Sequence, residues 1–162
     1  MPAVVTPRPL PAQRCVAAFS LSAGGMDVLD SALAMAGHRP ELELHIITAV
    51  DDRFGSPLVP VDGGPVNDGY AERVRTALDA LVGDALDTRT EAGRALRFHV
   101  HARFGEPAEQ VLGLARDLHA ELILIGSHDH AGRRRSLVGS TAAKVVREAE
   151  CSVIVVRGKP QS

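Results

Sequence analysis

The sequence predicts an α/β fold, a doubly wound five-stranded parallel sheet with helices on both faces. Three observations carry this expectation. Short aliphatic runs alternate with segments whose apolar residues recur every three or four positions. Most of the runs are apolar on both sides, as strands covered on both faces must be. Enough chain separates successive runs for a helical crossover, which joins parallel strands with a right-handed sense.

The first run, Cys15-Val16-Ala17-Ala18-Phe19, ends at Ser20 before Gly24-Gly25 and reads as a buried strand. Met26, Leu29, Leu33 and Ala36 then mark a helix stopped by Gly37. Leu42 to Val50 is a second strand that turns from alternating to mostly apolar toward its end. Asp51 to Asn67, rich in Gly, Pro and Asp, has no period and reads as a long functional or mobile loop. Tyr70, Val74, Ala77, Leu81 and Ala85 predict the second helix. Ala95 to Ala102 alternates cleanly, which suggests a strand nearer the sheet edge. Gly105-Glu106-Pro107 opens a third helix with proline in its first turn and Ala108, Val111, Leu112, Ala115 and Leu118 on one face. Leu122 to Ile125 is a fully apolar strand ending at Gly126. A fourth stripe, Ala142, Val145, Val146 and Ala149, precedes the closing strand Val153 to Val156. The order predicts one domain over residues 14–158, with a flexible N-terminal segment at 1–13 and a tail at 159–162.

Composition excludes several function classes. Eighteen Lys and Arg balance twenty Asp and Glu, for a net charge of −2. Bulk nucleic-acid or anionic-membrane binding needs a basic surplus. Aromatics make up 3%, with no Trp, which disfavours stacking of single-stranded bases. No apolar run approaches the length of a membrane span, and the proline-rich start lacks the apolar stretch of a secretory signal. The expected location is therefore the cytoplasm, with Cys15 and Cys151 as reduced thiols serving as small hydrophobes.

In a doubly wound sheet, ligands sit beyond the C-terminal ends of the strands at the switch in strand order. This points to Ser20–Gly25, Val50–Gly64, Ala102–Pro107 and Gly126–Thr141. The last segment carries the strongest signal. Gly126 allows a sharp turn and close approach of backbone to ligand. Gly139-Ser140-Thr141 opens a helix whose first amides lack intrahelical partners, and hydroxyls there either cap those amides or join them in binding an anion. Arg133 to Arg135 add local positive charge. A phosphate pocket and an ordinary capped loop both satisfy these facts.

Spacing adds more. Gly126, two residues, Asp129, nine residues, then Gly139-Ser140 is similar to the Gly, two, Gly, nine, Gly-Ser/Thr pattern of the ATP-binding universal stress proteins. With the Gly105-Glu106-Pro107-Ala108 helix start and the closing Cys151-Ser152-Val153, the chain resembles that family from Cys15 to Arg157. The resemblance implies an adenine nucleotide α-hydrolase-like fold and a stress-response regulatory or binding protein holding ATP, ADP or AMP. It implies contacts from Gly126, Ser127, Asp129, Gly139, Ser140 and Thr141, with adenine near Ala17, Ser20 and Ala49. It also implies a homodimer through Val153–Val156. Two departures stand out. Asp129 replaces the second glycine, placing a carboxylate where a polyphosphate would be wrapped. Ser20-Leu21-Ser22 stands where nucleotide binders carry Asp-Gly-Ser. A module of the same fold that binds proteins without a nucleotide, and a slow nucleotidase, are the alternatives.

Other constellations are thinner. His128-Asp129-His130 lie consecutively on a loop, an arrangement that rarely converges on one ion. His99 and His101 face the same way on a strand but supply two ligands only. Asp51-Asp52 could hold Mg²⁺ beside a phosphate, although Asp is a routine turn residue. No resident metal is expected, with Mg²⁺ only alongside a nucleotide, and no catalytic residue is assigned. No Gly-x-Ser-x-Gly elbow, P-loop or Gly-x-Gly-x-x-Gly is present.

Overall fold

The computed structural model of the protein describes residues 13–21, 23–87, 96–127 and 139–158. Five strands and four helices alternate among them: β1 (Gln13–Ala18), α1 (Ala23–His38), β2 (Leu42–Val50), α2 (Asp68–Asp87), β3 (Phe98–Phe104), α3 (Pro107–Asp117), β4 (Leu122–Gly126), α4 (Ser140–Glu148) and β5 (Ser152–Val156). All strand pairs are parallel, in the order β3-β2-β1-β4-β5. The chain winds outward from β1 to β3 and then crosses back to place β4 on the other side of β1. The switch in strand order therefore falls between β1 and β4.

Strand alternation divides the core between the two faces. Cys15, Ala17, Leu44, Ile46 and Leu124 face one way and pack with Leu29, Leu33, Leu78 and Val82 of α1 and α2. Val16, Ile47 and Ile123 face the other way, against Val111, Leu112, Leu114 and Val145 of α3 and α4. Each buried aliphatic side chain contributes about 1.5–3 kcal/mol of transfer free energy. Both cysteines are free; Cys15 is fully buried, and that burial pushes its thiol up to about 12. Among the described residues no helix is long and apolar enough to cross a membrane.

The sequence pattern placed several boundaries and faces differently. Strand β1 begins two residues earlier than its apolar run and ends at Ala18, with Phe19 N–H still donating to Ile47 O. Strand β3 runs to Phe104 rather than Ala102, because its register with β2 continues through Val50 opposite Phe104. Helix α2 buries Tyr70, Val74, Leu78 and Val82, a strict four-residue spacing that brings in the bulkier Leu78 and Val82 ahead of Ala77 and Leu81. Met26 and Val146 are exposed, although both fit the expected stripes. Helix α1 continues through Gly37 to His38.

The Gly105-Glu106-Pro107 start forms as expected, with Pro107 in the first turn and Glu106 as the cap. The Glu106 carboxylate accepts from Ala108 N at 3.1 Å and Glu109 N at 3.0 Å. Lys144 of α4 reaches the same carboxylate at 3.2 Å and Glu109 at 3.4 Å, tying α4 to the start of α3. Burial alone would raise the Glu106 carboxyl; the bonds from Glu109, Ala108 and Lys144 outweigh it and hold the group below its ordinary value.

Candidate functional site

A cleft of about 410 Å³ opens at the C-terminal ends of β1, β2 and β4, where the strand order switches. This volume lies within the roughly 300–1,000 Å³ of small-molecule sites. Its floor is Ala18, Ile47, Thr48 and Ile125 from the strands; Phe19, Ser20 and Leu21 continue the floor past the tip of β1. The first turn of α1 supplies Gly24, Gly25 and Val28, the start of α3 supplies Pro107, Gln110 and Val111, and the first turn of α4 supplies Ser140 and Thr141. Ser56, Pro57 and Leu58 form the remaining wall.

Two glycines set how closely the backbones approach here. A Cβ on Gly25 would overlap the carbonyl oxygen of Ser20, so α1 can lie against the tip of β1 only with glycine at this position. Gly126 differs from its expected role. It ends β4 in strand geometry, paired with Val156, with no left-handed backbone. Its contribution is room: a Cβ there would stand 3.4 Å from Gly24 O and Val28 Cγ2, inside the cleft.

The electrostatics of the cleft are simple. None of its described lining residues carries a formal charge; the polar groups are the hydroxyls of Ser20, Thr48, Ser56, Ser140 and Thr141 and the amide of Gln110. The first turns of α1 and α4 contain no acidic residue. Helix α4 is capped by Gly139, whose backbone is extended and which offers no side-chain bond to the first amides. Ser140 is thus the first residue within the helix, and its hydroxyl does not serve as the cap. The amide end of α4 therefore faces the cleft without a side-chain acceptor. Such ends carry partial positive charge.

The candidate residues divide as follows. Gly126, Ser20, Ala49, Ser140 and Thr141 come together in the cleft. Ser127 and Gly139 lie at its edge and bond to each other, Gly139 N to Ser127 O at 2.9 Å, pinning the two ends of the connecting loop. Asp129, Ser22, His128, His130 and Arg133 to Arg135 lie outside the described residues. Ala17 is a correction: it is 1% exposed and belongs to the core, and its neighbour Ala18 on the opposite face lines the cleft instead. The Asp51-Asp52 pair opens a turn, with Asp51 accepting from Arg53 N and Phe54 N at 2.8 Å each. These bonds hold the Asp51 carboxyl below its ordinary range.

The Ser56–Leu58 wall falls within the expected Val50–Gly64 segment, whereas Gln110 and Val28 were not anticipated. The wall lies in a segment without period, and it is fixed by Tyr70 of α2. The Tyr70 hydroxyl accepts from Ser56 N at 2.8 Å and donates to Val59 O at 2.6 Å. His99 and His101 stand on β3 and do not line the cleft. Burial, followed by repulsion from His45 and Arg103, lowers His101 to about 4.

A family model described as the universal stress protein family matches residues 11–157. The chain belongs to this family. It is 35% identical over 66 residues to a universal stress protein of Methanocaldococcus jannaschii, covering 41% of this chain and 38% of that one. It is 29% identical over 120 residues to a putative universal stress protein of Staphylococcus epidermidis, covering 74% and 69%. Among solved structures, a universal stress protein from Lactobacillus plantarum superposes with a TM-score of 0.62 at 21% identity, over 91% of this chain and 99% of that one. A universal stress protein solved in complex with cAMP gives 0.58 at 17% identity, over 93% and 100%. One from Archaeoglobus fulgidus in complex with dAMP gives 0.57 at 18%, over 91% and 99%. These superpositions establish that the doubly wound sheet is the universal stress protein fold.

Proposed function

We propose that this universal stress protein binds an adenine nucleotide of low phosphate charge, AMP or a cyclic monophosphate ahead of Mg²⁺-ATP, and acts as a binding and regulatory protein in the stress response. The observation that carries this is the uncharged cleft at the switch point, flanked by the amide ends of α1 and α4 with no acidic residue in either first turn. In this reading the phosphate meets the first turn of α4 beside Ser140 and Thr141. The base lies toward Ala18, Ser20 and Ala49 at the ends of β1 and β2. The complexes of two related folds with cAMP and dAMP support the same choice. The described lining of the cleft, hydroxyls and aliphatic groups, offers no titrating side chain as a general base, which favours binding over hydrolysis.

The same reading makes the protein a homodimer through β5. That strand is a sheet edge of five residues, four of them aliphatic, with Ile154 42% exposed. Aliphatic edges tend to pair or be covered.

Calorimetry with AMP, cAMP, ADP and ATP tests the ligand, with Gly126→Val as the control, because its side chain would fill the space beside Gly24 and Val28. The expected result is submillimolar binding of a monophosphate, abolished in the variant. Binding of none of the four tighter than about 1 mM overturns the reading.

A further inference from the structure

Strand register assembles a polar cluster outside the cleft lining, on the β2–β3 face. Glu43 and His45 are two apart on β2, and His99 and His101 are two apart on β3. Pairing of His45 with His99 and of Ile47 with His101 puts all four on one face of the sheet. His45 Nε2 lies 2.8 Å from Glu43 Oε1, and His99 Nε2 lies 3.6 Å from the same oxygen. One ligand atom from each of Glu43, His45 and His99 falls within 4.8 Å of the other two.

We propose that Glu43, His45 and His99 form a binding site for a divalent transition metal of the zinc class, with His101 as the positioning residue behind His45. Tetrahedral bonds of about 2.0–2.1 Å separate ligand atoms by about 3.3 Å. The observed separations, all within 4.8 Å, lie within about 1.5 Å of that value. His99, whose side chain is 55% exposed, and the carboxylate of Glu43 are free to close that difference. His45 supplies the rigid element. Its ring is buried between the rings of His99 and His101, with centroids 4.7 Å and 5.2 Å away. Its Nδ1 meets His101 Nε2 at 2.9 Å, the kind of outer contact that fixes the tautomer presenting Nε2 to a metal.

A buried histidine with both nitrogens satisfied accounts for His45 and His101 without a metal. It does not account for the exposed His99 directing Nε2 at the oxygen that His45 already uses. Two imidazoles and one carboxylate form the three-ligand set that leaves zinc a fourth position for water, and imidazole selects zinc, cobalt, nickel or copper over magnesium and calcium. Arg14 opposes the site, with Nε 3.8 Å from the same carboxylate oxygen, although its Nη1 is held by Leu118 O at 2.9 Å. A metal here would clamp the edge strand β3 to β2.

The test is calorimetry of the full chain with Zn²⁺, together with visible absorption of the Co²⁺-loaded protein. One ion per chain is expected, with the d–d bands of tetrahedral Co²⁺. His99→Ala, a change at an exposed side chain, should weaken binding at least tenfold and remove those bands. His101→Phe should weaken it about 10–100-fold and shift the bands while leaving the far-UV dichroism of the metal-free protein unchanged. Arg14→Gln should strengthen binding. Changing His128 and His130 together to Ala should have no effect. No heat and no bands, binding that survives both His99→Ala and Glu43→Gln, or binding lost with His128 and His130 would each overturn the proposal.

Discussion

Removing one oxygen atom, in Tyr70→Phe, tests whether the wall of the cleft is held by the helix behind it. Tyr70 sits in the first turn of α2 and is 2% exposed. Its hydroxyl accepts from Ser56 N at 2.8 Å and donates to Val59 O at 2.6 Å, with Ser56 O at 3.2 Å. Phenylalanine keeps the ring and its packing but leaves the Ser56 N–H, on a residue only 6% exposed, with no acceptor. A buried unsatisfied donor costs about 1–3 kcal/mol, and the lost bond to Val59 adds about 0.5–1.5 kcal/mol, so a loss of about 1.5–4.5 kcal/mol is expected. In a domain of this length that lowers Tm by about 3–18 °C. The chain has no Trp and one Tyr, which the change removes, so unfolding should be followed by far-UV dichroism. The slope in urea should stay constant while the midpoint falls. Since Ser56 to Leu58 form the wall, nucleotide affinity should fall several-fold in the same variant. A stability change below about 0.5 kcal/mol, the size of an inconsequential surface substitution, would refute the reasoning.

Three further predictions follow from named contacts. Glu106→Ala should cost about 1 kcal/mol at neutral pH through loss of the α3 cap. The folded carboxylate is held below its ordinary 4.5, so its stabilisation is complete above that value and is lost as pH falls through the lower folded value. The stability gap between parent and variant should therefore close in acid; a gap of constant size down the pH scale would count against it. Ile154→Lys should convert a dimer to a monomer in light scattering with little change in chain stability, and a monomeric parent would end the β5 interface proposal. Asp129→Gly should tighten nucleotide binding several-fold by removing a carboxylate from the motif that the family resemblance assigns to the phosphate, whereas unchanged or weaker titrations would discard that account.

How far the sequence could be read depended on which force set each feature. Burial on both faces made β1, β2 and β4 legible, since aliphatic runs such as Leu122–Ile125 have no other stable place in a domain of this size, while β5 was legible from its aliphatic run alone although it is a partly exposed edge. Proline and an acidic cap made the start of α3 legible. Helix faces were less so: Tyr70, Val74, Ala77 and Leu81 fit a stripe as well as Tyr70, Val74, Leu78 and Val82, and only packing against the sheet decided between them. The cleft lies at the strand tips to which topology pointed: Gly126 and Ser140 line it, as does Ala49, which the family resemblance implied. Topology also pointed to Val50–Gly64, but not to which of its residues form the far wall, because Ser56 to Leu58 are held by side-chain bonds to Tyr70 that leave no periodic trace. The histidine cluster was half visible. The pair on β3 could be seen in the alternation of residues 95–102, but Glu43 and His45 join it only through a register that no local pattern encodes.

The charge of the cleft narrows its ligand by simple arithmetic. Each helix N-terminus acts as roughly half a positive charge, so α1 and α4 together offset about one negative charge. The described lining adds no lysine, arginine or carboxylate to that total. One unit matches a cyclic phosphate diester, leaves up to about one further charge on a monoester such as AMP, and falls well short of a triphosphate, which would need cations supplied from elsewhere. The nearest source in the sequence is Arg133 to Arg135, between the loop ends that Ser127 and Gly139 pin together. In the same loop, Asp129 subtracts from that supply. In the proposed reading a preference for low phosphate charge follows from these two helix ends, and it should weaken in direct relation to how much positive charge Arg133 to Arg135 contribute.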